Sequence, residues 1–319
     1  MLPFAARIDR LQRIAQQQAA LTVNFGGRYT KDDKETVQTG MVNASNDETW
    51  NEFTPRVGLR YEFSDNIMAY ATYSTGYRAG GFNGLPSGAL AQRMLTDAQL
   101  ITKKPKNLSF VEAAALPLVS LTAWFALSDR AQIQAGDLVL VHAGGGGVGH
   151  VGIQIAKYLG ATVHTTVSNE KKAHAARELG ANETILYRGL SVDDYVKKYT
   201  DGRGYDVVFD TVGGDNLDAS FQAARYGGTI VNIAARSTHD LTPMHSRGLT
   251  LHVVFLVGQV ANPLNRHSIK PRLEKLSELA ENGDLQPLID HQQFEIEDVA
   301  DAHAYLESGE PIGKVVLTR

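Results

Sequence analysis

The chain has 319 residues, 43% of them hydrophobic and 21% charged, enough for about two domains and a sizeable core in at least one. A net charge of −4 and a pI near 6.2 give no global attraction for nucleic acid or acidic lipid, and no long basic run occurs. There is no cysteine, which excludes disulfides, Cys-ligated zinc, iron–sulfur clusters and thiol nucleophiles together.

Residues 4–19 place Phe4, Ile8, Leu11 and Ile14 near a helical spacing, which predicts an amphipathic helix. Arg7, Asp9, Arg10 and Arg13 interrupt the apolar core a signal peptide would need, and no later apolar stretch is long enough to span a bilayer as a helix. The expectation is a cytoplasmic chain without functional membrane insertion. From Leu21 the period changes to two: "LTVNFGGRYT", "TPRVGLRYEF" and "IMAYATYSTGYR" read as strands. Val57, Leu59, Tyr61 and Phe63 alternate, "SDN" supplies a turn, and Tyr70 and Tyr73 fall in the returning strand.

Residues 20–84, through "GGRYTKDDKE" and "FTPRVGLRYEFSDNIMAYATYSTGYRAGGFN", resemble the barrel of an outer-membrane TonB-dependent receptor. A transmembrane barrel must close to satisfy its strand edges, and a few strands cannot close one.

From about Gly88 strands and helices alternate. "DLVLVHA" is an apolar run of buried-strand type, "GVGHVGIQIAKYLG" a helix ending at Gly160, "ATVHTTV" a strand and "NEKKAHAARELG" a helix. "YDVVFDTVG" and "GGTIVNIAA" read as strands with the helix "NLDASFQAARYG" between them. "LTLHVVFLVG" reads as a further strand, followed by helices in "KPRLEKLSELAENG" and "IEDVADAHAYLESG" and a terminal strand in "GKVVLT". This order predicts an α/β fold: a doubly wound parallel sheet of Rossmann type, covered on both faces.

"VHAGGGGVGHVG" follows one of these strands and opens a helix, the context a dinucleotide fingerprint requires, and it fits Gly144-x-Gly146-x-x-Gly149. Glycines there permit the tight turn and let backbone N–H groups approach a pyrophosphate at the positive end of the helix. The second strand ends near Thr166 to Ser168, where an NAD-specific site would place a carboxylate; the chain reads "TTVSNEKK" instead. Glu170 comes later, and Lys172 can reach a 2′-phosphate, a charge-assisted contact worth about 1.5–3 kcal/mol in favour of NADPH. The alternative is that Lys171 and Lys172 are solvated helix residues. His142, His150, His164, His239, His245 and His252 follow no metal-binding spacing and are assigned structural or surface roles. Neither a Gly-x-Ser-x-Gly elbow nor a P-loop is present, so no motif supports a serine hydrolase or an NTPase.

Residues 88–319 resemble the zinc-independent medium-chain dehydrogenases/reductases of the quinone oxidoreductase, or zeta-crystallin, group. The resemblance rests on "KKPKNLSFVEAAALPLVSLTAWFAL", "VHAGGGGVGHVGIQIAKYLGA", "LGANETILYR", "YDVVFDTVGG" and "GKVVL". It implies that Thr122 lies near the nicotinamide and that Gly146, Gly147, Val148 and Gly149 hold the pyrophosphate. It further implies that Ser168, Lys172 and Tyr187 surround the adenosine 2′-phosphate, that Thr211 and Val212 line the cofactor cleft, and that Leu249–Leu256 is an edge strand through which the family forms homodimers. Without cysteine ligands, neither zinc site of the alcohol dehydrogenase branch can be built. Hydride transfer from NADPH to an already electrophilic small molecule, a quinone or an α,β-unsaturated carbonyl, needs no such help.

In that family the chain opens with a GroES-like barrel carrying substrate contacts, and "GALAQRMLTDAQLITKKP" resembles its last part. The expected division is a receptor-like segment at 1–87, a remnant of the GroES-like domain with its linker helix at 88–125, a dinucleotide-binding domain at 126–262 and C-terminal helices with a returning strand at 263–319. The join reads as an in-frame fusion, and the tyrosine and asparagine that the family's barrel contributes have no counterpart, so no catalytic residue is assigned. Three readings stand: an NADPH-dependent reductase with a foreign N-terminal segment, an inactive NADPH-binding fusion product, or an outer-membrane receptor fragment.

Overall fold

The computed structural model describes residues 21–38, 44–64, 67–74 and 97–318. The predicted helix at residues 4–19 and the stretch 75–96, which holds the join, lie outside them. The chain divides into two compact units, Met1–Gly84 and Leu85–Arg319.

In the first unit β1 (Leu21–Gln38), β2 (Ala44–Ser64) and β3 (Ile67–Ser74) form an antiparallel sheet in that order. The register runs from Leu21 opposite Tyr61 to Gln38 opposite Ala44, and Ser64 faces Ile67 where "SDN" predicted the turn. β1 and β2 span 18 and 21 residues, far beyond the roughly five or six usual for globular strands and longer than the alternation alone suggested.

In the second unit β4 (Leu138–Val141), β5 (Thr162–Val167), β6 (Glu183–Leu186), β7 (Tyr205–Asp210), β8 (Ala224–Asn232) and β9 (Thr250–Val253) form one parallel sheet, ordered β6-β5-β4-β7-β8-β9. The strand order reverses direction at β4, which opens a crevice at the carboxyl ends of β4 and its neighbours. Ten helices are labelled in this unit: α1 (Phe110–Ala114), α2 (Pro117–Trp124), α3 (Gly149–Tyr158), α4 (Glu170–Glu178), α5 (Val192–Thr200), α6 (Asn216–Ala223), α7 (Thr242–Arg247), α8 (Leu256–Ala261), α9 (Ile269–Asn282) and α10 (Val299–Glu307).

Alternation along the buried strands builds the two faces. Val139, Val141, Val207 and Phe209 pack with Val151, Ile155, Ala173 and Leu276 from α3, α4 and α9. Leu140, Val208 and Ile230 pack on the opposite face with Tyr195, Leu217 and Phe221 from α5 and α6. Because both faces are covered, the strands read as continuous apolar runs. Burying each large side chain completely contributes about 1.5–3 kcal/mol.

Four sequence expectations need correction. "NLDASFQAARYG" is helical only to Ala223; Ala224–Tyr226 already belong to β8, whose register against β7 shifts between Tyr205 and Val207 beside the glycine pair Gly227–Gly228. "LTLHVVFLVG" is a strand only over Thr250–Val253 and becomes α8 at Leu256, since a short apolar run carries no period that separates strand from helix. The terminal strand shrinks to β11 (Leu317–Thr318), parallel to β10 (Phe294–Glu295), with a bridge between Ile289 and Lys314. β6 adds a strand that the sequence pattern does not announce, since it is short and half-exposed between Asn182 and Tyr187.

Candidate functional site

Residues 143–149 connect β4 to α3 at the carboxyl edge of the sheet. Ala143 takes a left-handed backbone conformation with φ 55°, and Gly146 donates its N–H to the Ala143 carbonyl at 2.9 Å, closing a tight turn. Two of the fingerprint glycines have no room for a side chain. A Cβ on Gly149 would stand 2.1 Å from the Ala143 carbonyl oxygen, and one on Gly144 would stand 2.1 Å from Thr165 Oγ1. Val148 precedes α3 without a side-chain capping bond, so the helix presents its first N–H groups and positive end at the loop.

His150, fully buried in the first turn of α3, sits with Nδ1 3.1 Å from the Gly146 carbonyl; as a carbonyl only accepts, Nδ1 carries the proton. Burial pulls its pKa down to about 4, only partly opposed by bonds to the loop carbonyls. His142, at the end of β4, is likewise depressed by burial, and its Nδ1 lies 3.1 Å from Thr166 Oγ1. Thr166 Oγ1 also accepts the Ala143 N–H at 3.1 Å, tying the tip of β5 to the start of the loop.

Past β5, Ser168 is half-buried and Asn169 caps α4, accepting the Lys172 N–H at 2.9 Å. Lys172 does not extend into solvent. Its stem lies against the loop, 2.8 Å from where a Gly145 Cβ would be, and Nζ donates to the Gly309 carbonyl at 2.7 Å. Burial lowers its pKa first; Glu310 opposes this and the Arg188 charge adds to it. No carboxylate stands at the β5 tip, since Glu170 faces Arg177 along α4 at 3.8 Å. Tyr187, about half exposed, walls a cavity of about 240 Å³ together with His142, Thr166, Leu190, Val212 and Asn216. A larger cavity of about 440 Å³ lies at the opposite ends of α3 and α4, lined by Lys157, Glu178 and Gly283, remote from the glycine loop.

On the other side of β4, Thr211 donates its hydroxyl to the His142 carbonyl at 2.6 Å. Asp210, wholly buried, organises the turn that follows. One carboxylate oxygen accepts from Val212 N at 2.9 Å, Gly213 N at 3.0 Å and Asn216 Nδ2 at 2.9 Å; the other accepts from Asn232 Nδ2 at 2.8 Å. Val212 is thereby held half-exposed at the mouth of the cavity. Thr122 is buried on α2, and its hydroxyl is engaged by the Leu118 carbonyl at 2.8 Å.

The fold thus gathers Gly144, Gly146, Gly147, Val148, Gly149, Lys172, Tyr187, Thr211 and Val212 around the carboxyl end of β4, while Thr122 belongs to a helix packed beside α3. Three contributors escaped sequence reasoning. Asp210 was hidden as the last residue of an apolar strand. Arg188 follows Tyr187 and acts on the Lys172 charge. Lys314 comes from far along the chain: its Cδ lies 3.2 Å from where a Gly147 Cβ would be, and burial lowers its pKa. Gly313 donates its N–H to the Gly145 carbonyl at 2.8 Å, which brings Lys314 to the loop. Among the described residues no carboxylate lies within salt-bridge distance of Lys314, whose Nζ stands 3.8 Å from where a Gly147 Cβ would be. Two lysines laid against a glycine loop at the start of a helix are what a dinucleotide phosphate requires.

A family profile described as "Zinc-binding dehydrogenase" matches residues 147–278. The residues here do not fit a zinc ion: the chain has no cysteine, and among the described residues no three His, Asp or Glu side chains gather as ligands. A second profile, "TonB dependent receptor-like, beta-barrel", matches residues 14–108. A 2-haloacrylate reductase of Burkholderia sp is 34% identical over 242 residues, covering 73% of this chain and 71% of that enzyme. A mycocerosic acid synthase-like polyketide synthase of Mycobacterium tuberculosis is 30% identical over 247 residues, 76% of this chain but only 11% of the synthase. Among solved structures, an alcohol dehydrogenase superfamily protein of Novosphingobium aromaticivorans superposes with a TM-score of 0.70 at 34% identity, covering 77% of each chain. Escherichia coli quinone oxidoreductase complexed with NADPH superposes with a TM-score of 0.63 at 28% identity, covering 68% of each. With this sheet order, this loop and these relatives, the chain belongs to the zinc-independent medium-chain dehydrogenases/reductases of the quinone oxidoreductase type and is an oxidoreductase.

Proposed function

We propose that this oxidoreductase is an NADPH-dependent reductase whose acceptor is a quinone or an α,β-unsaturated carbonyl. The observation that carries the reading is Lys172, laid along the glycine loop where the tip of β5 offers Ser168 and no carboxylate. A 2′-phosphate there would meet Lys172 and Arg188; a bare ribose would find no acid to hold its hydroxyls. The 240 Å³ cavity, walled by Tyr187 and Val212, has room for the base, and Lys314 with the first N–H groups of α3 suits the pyrophosphate. When bound, the nicotinamide supplies the hydride. The chain's own part is to hold the dinucleotide: Asp210 fixes Val212 at the wall of that cavity, and Thr211 ties the turn to His142. Two relatives are named for such chemistry, a 2-haloacrylate reductase and a quinone oxidoreductase complexed with NADPH.

The reading extends to the whole chain as a fusion. Residues 88–125 would be the surviving end of a GroES-like domain, 126–262 the cofactor domain and 263–319 the returning C-terminal part, with 1–87 receptor-like and cytoplasmic in this context. β9 is an edge strand whose Val253 and neighbouring Phe255 are about half exposed, features that suit pairing with a second copy into a homodimer. Steady-state NADPH oxidation by the full chain, with a panel of quinones and enones, tests the proposal. Turnover with either acceptor class supports it; NADPH binding without turnover would identify an inactive fusion product, and absence of NADPH binding would remove the cofactor assignment.

A further inference from the structure

The loop that leaves β8 carries a second constellation of side chains. Ser237 Oγ lies 2.5 Å from His239 Nε2, and His239 Nδ1 lies 2.9 Å from Oδ1 of Asp218 on α6. The tautomer follows from the partners. A carboxylate only accepts, so Nδ1 carries the proton; the neutral ring then presents a lone pair at Nε2, and the serine hydroxyl donates to it. This is the order of nucleophile, base and orienting acid by which a serine hydroxyl is activated.

The surroundings support the same use. The His239 side chain is only 8% exposed and stands edge-on to the Phe221 ring at 6.3 Å between centroids, so its orientation is held from two sides. Ser237 itself is exposed and can be reached.

We propose that Ser237, His239 and Asp218 form an acyl-transfer site acting on small carboxylic esters with good leaving groups. Ser237 Oγ attacks the carbonyl carbon while its proton passes to His239 Nε2. The bond to the leaving alkoxide breaks, His239 returns the proton to it, and an acyl-Ser237 ester remains. Water, deprotonated by His239, then attacks that ester, releasing the carboxylic acid and restoring the serine. The net reaction is ester plus water to acid plus alcohol, with no redox partner and no nicotinamide. Asp218 is a positioning residue that fixes the His239 tautomer.

The probe is 4-nitrophenyl acetate, mixed with the full chain at neutral pH without nucleotide. The expected result is 4-nitrophenolate release accompanied by an acetyl group on Ser237 in peptide mass spectra. The rate should fall at least about tenfold in Ser237→Ala, and Asp218→Asn should slow it more than Asp218→Glu, which keeps the orienting carboxylate. Far-UV circular dichroism checks that the variants fold. Should Ser237→Ala fail to fold, the position of the acetyl group on the unaltered chain decides. Equal rates in the chain and Ser237→Ala, or acetyl groups on lysines with none on Ser237, would overturn the proposal.

Discussion

Asn232 donates its side-chain amide to Asp210 across the tips of β8 and β7, Nδ2 to Oδ2 2.8 Å, with both residues wholly buried. The same carboxylate accepts three further donors from the turn at Val212, Gly213 and Asn216. Removing it strands all four. Asp210→Ala should therefore destabilise the chain by about 3–5 kcal/mol, read from the shift in its urea unfolding curve. A loss below about 1 kcal/mol would show that the turn is held by other contacts.

Gly149 cannot accept a methyl group without displacing the Ala143 carbonyl. Gly149→Ala should weaken NADPH at least about tenfold in a fluorescence titration while leaving the circular dichroism unchanged. Unaltered affinity would remove this loop from the cofactor site.

Lys172 should discriminate between the two nicotinamide cofactors. With its ammonium gone, Lys172→Ala should lose NADPH affinity by about 1.5–3 kcal/mol, ten- to a hundredfold, with little change for NADH. Equal losses for both would place Lys172 in the packing of Gly145 and Gly309 rather than on a 2′-phosphate.

Acid should unfold the protein partly through His150. Its folded pKa of about 4 lies below the ordinary 6.5, so between those values the unfolded chain binds a proton that the folded chain refuses. The stability this histidine contributes is complete above pH 6.5 and falls as the pH drops toward 4; buried His142 acts in the same direction. Between pH 7.5 and 5, His150→Gln should lose about 2 kcal/mol less stability than the unaltered chain, measured by urea unfolding at each pH. Parallel losses would mean that His150 is not the titrating group.

Deletion of residues 1–84 should leave NADPH binding intact, because the parallel sheet is covered by helices of its own unit. It should also raise solubility by removing a three-stranded sheet whose outer strands β1 and β3, among the described residues, pair on one side only. Loss of NADPH binding on deletion would make the receptor-like strands part of the enzyme.

What the sequence disclosed follows the range over which each signal acts. The run from Leu138 to Val141 and the glycines after it form one local unit, strand then turn then helix, and their spacing alone located the loop. Alternation likewise disclosed β3, the first half of β1 and the second half of β2, with Ser64 paired to Ile67, but not the polar halves of β1 and β2. Lys314 and Asp210 were not legible. Lys314 reaches Gly147 across a long separation in the chain, placed by its bridge to Ile289 and by the bond from Gly313 to Gly145, and Asp210 joins its own turn to Asn232 of β8. "LTLHVVFLVG" failed for a different reason, since its helical half contains nothing to set it apart from a strand until Pro263 follows. The Ser237, His239 and Asp218 group combines both limits: two residues are neighbours in one loop, and the third arrives from α6.

The bond from Gly313 N–H to the Gly145 carbonyl also sets an order of events during synthesis. Gly145 leaves the ribosome long before Gly313 is made, so a nascent chain carries the complete glycine motif without the backbone that steadies it. The loop takes its steadied form after the segment holding Gly309, Gly313 and Lys314 has emerged and docked, so a nucleotide held there would be gripped late rather than serve as an early folding template. A message cut short within that segment would yield a product with every fingerprint residue present and no lasting grip on the cofactor.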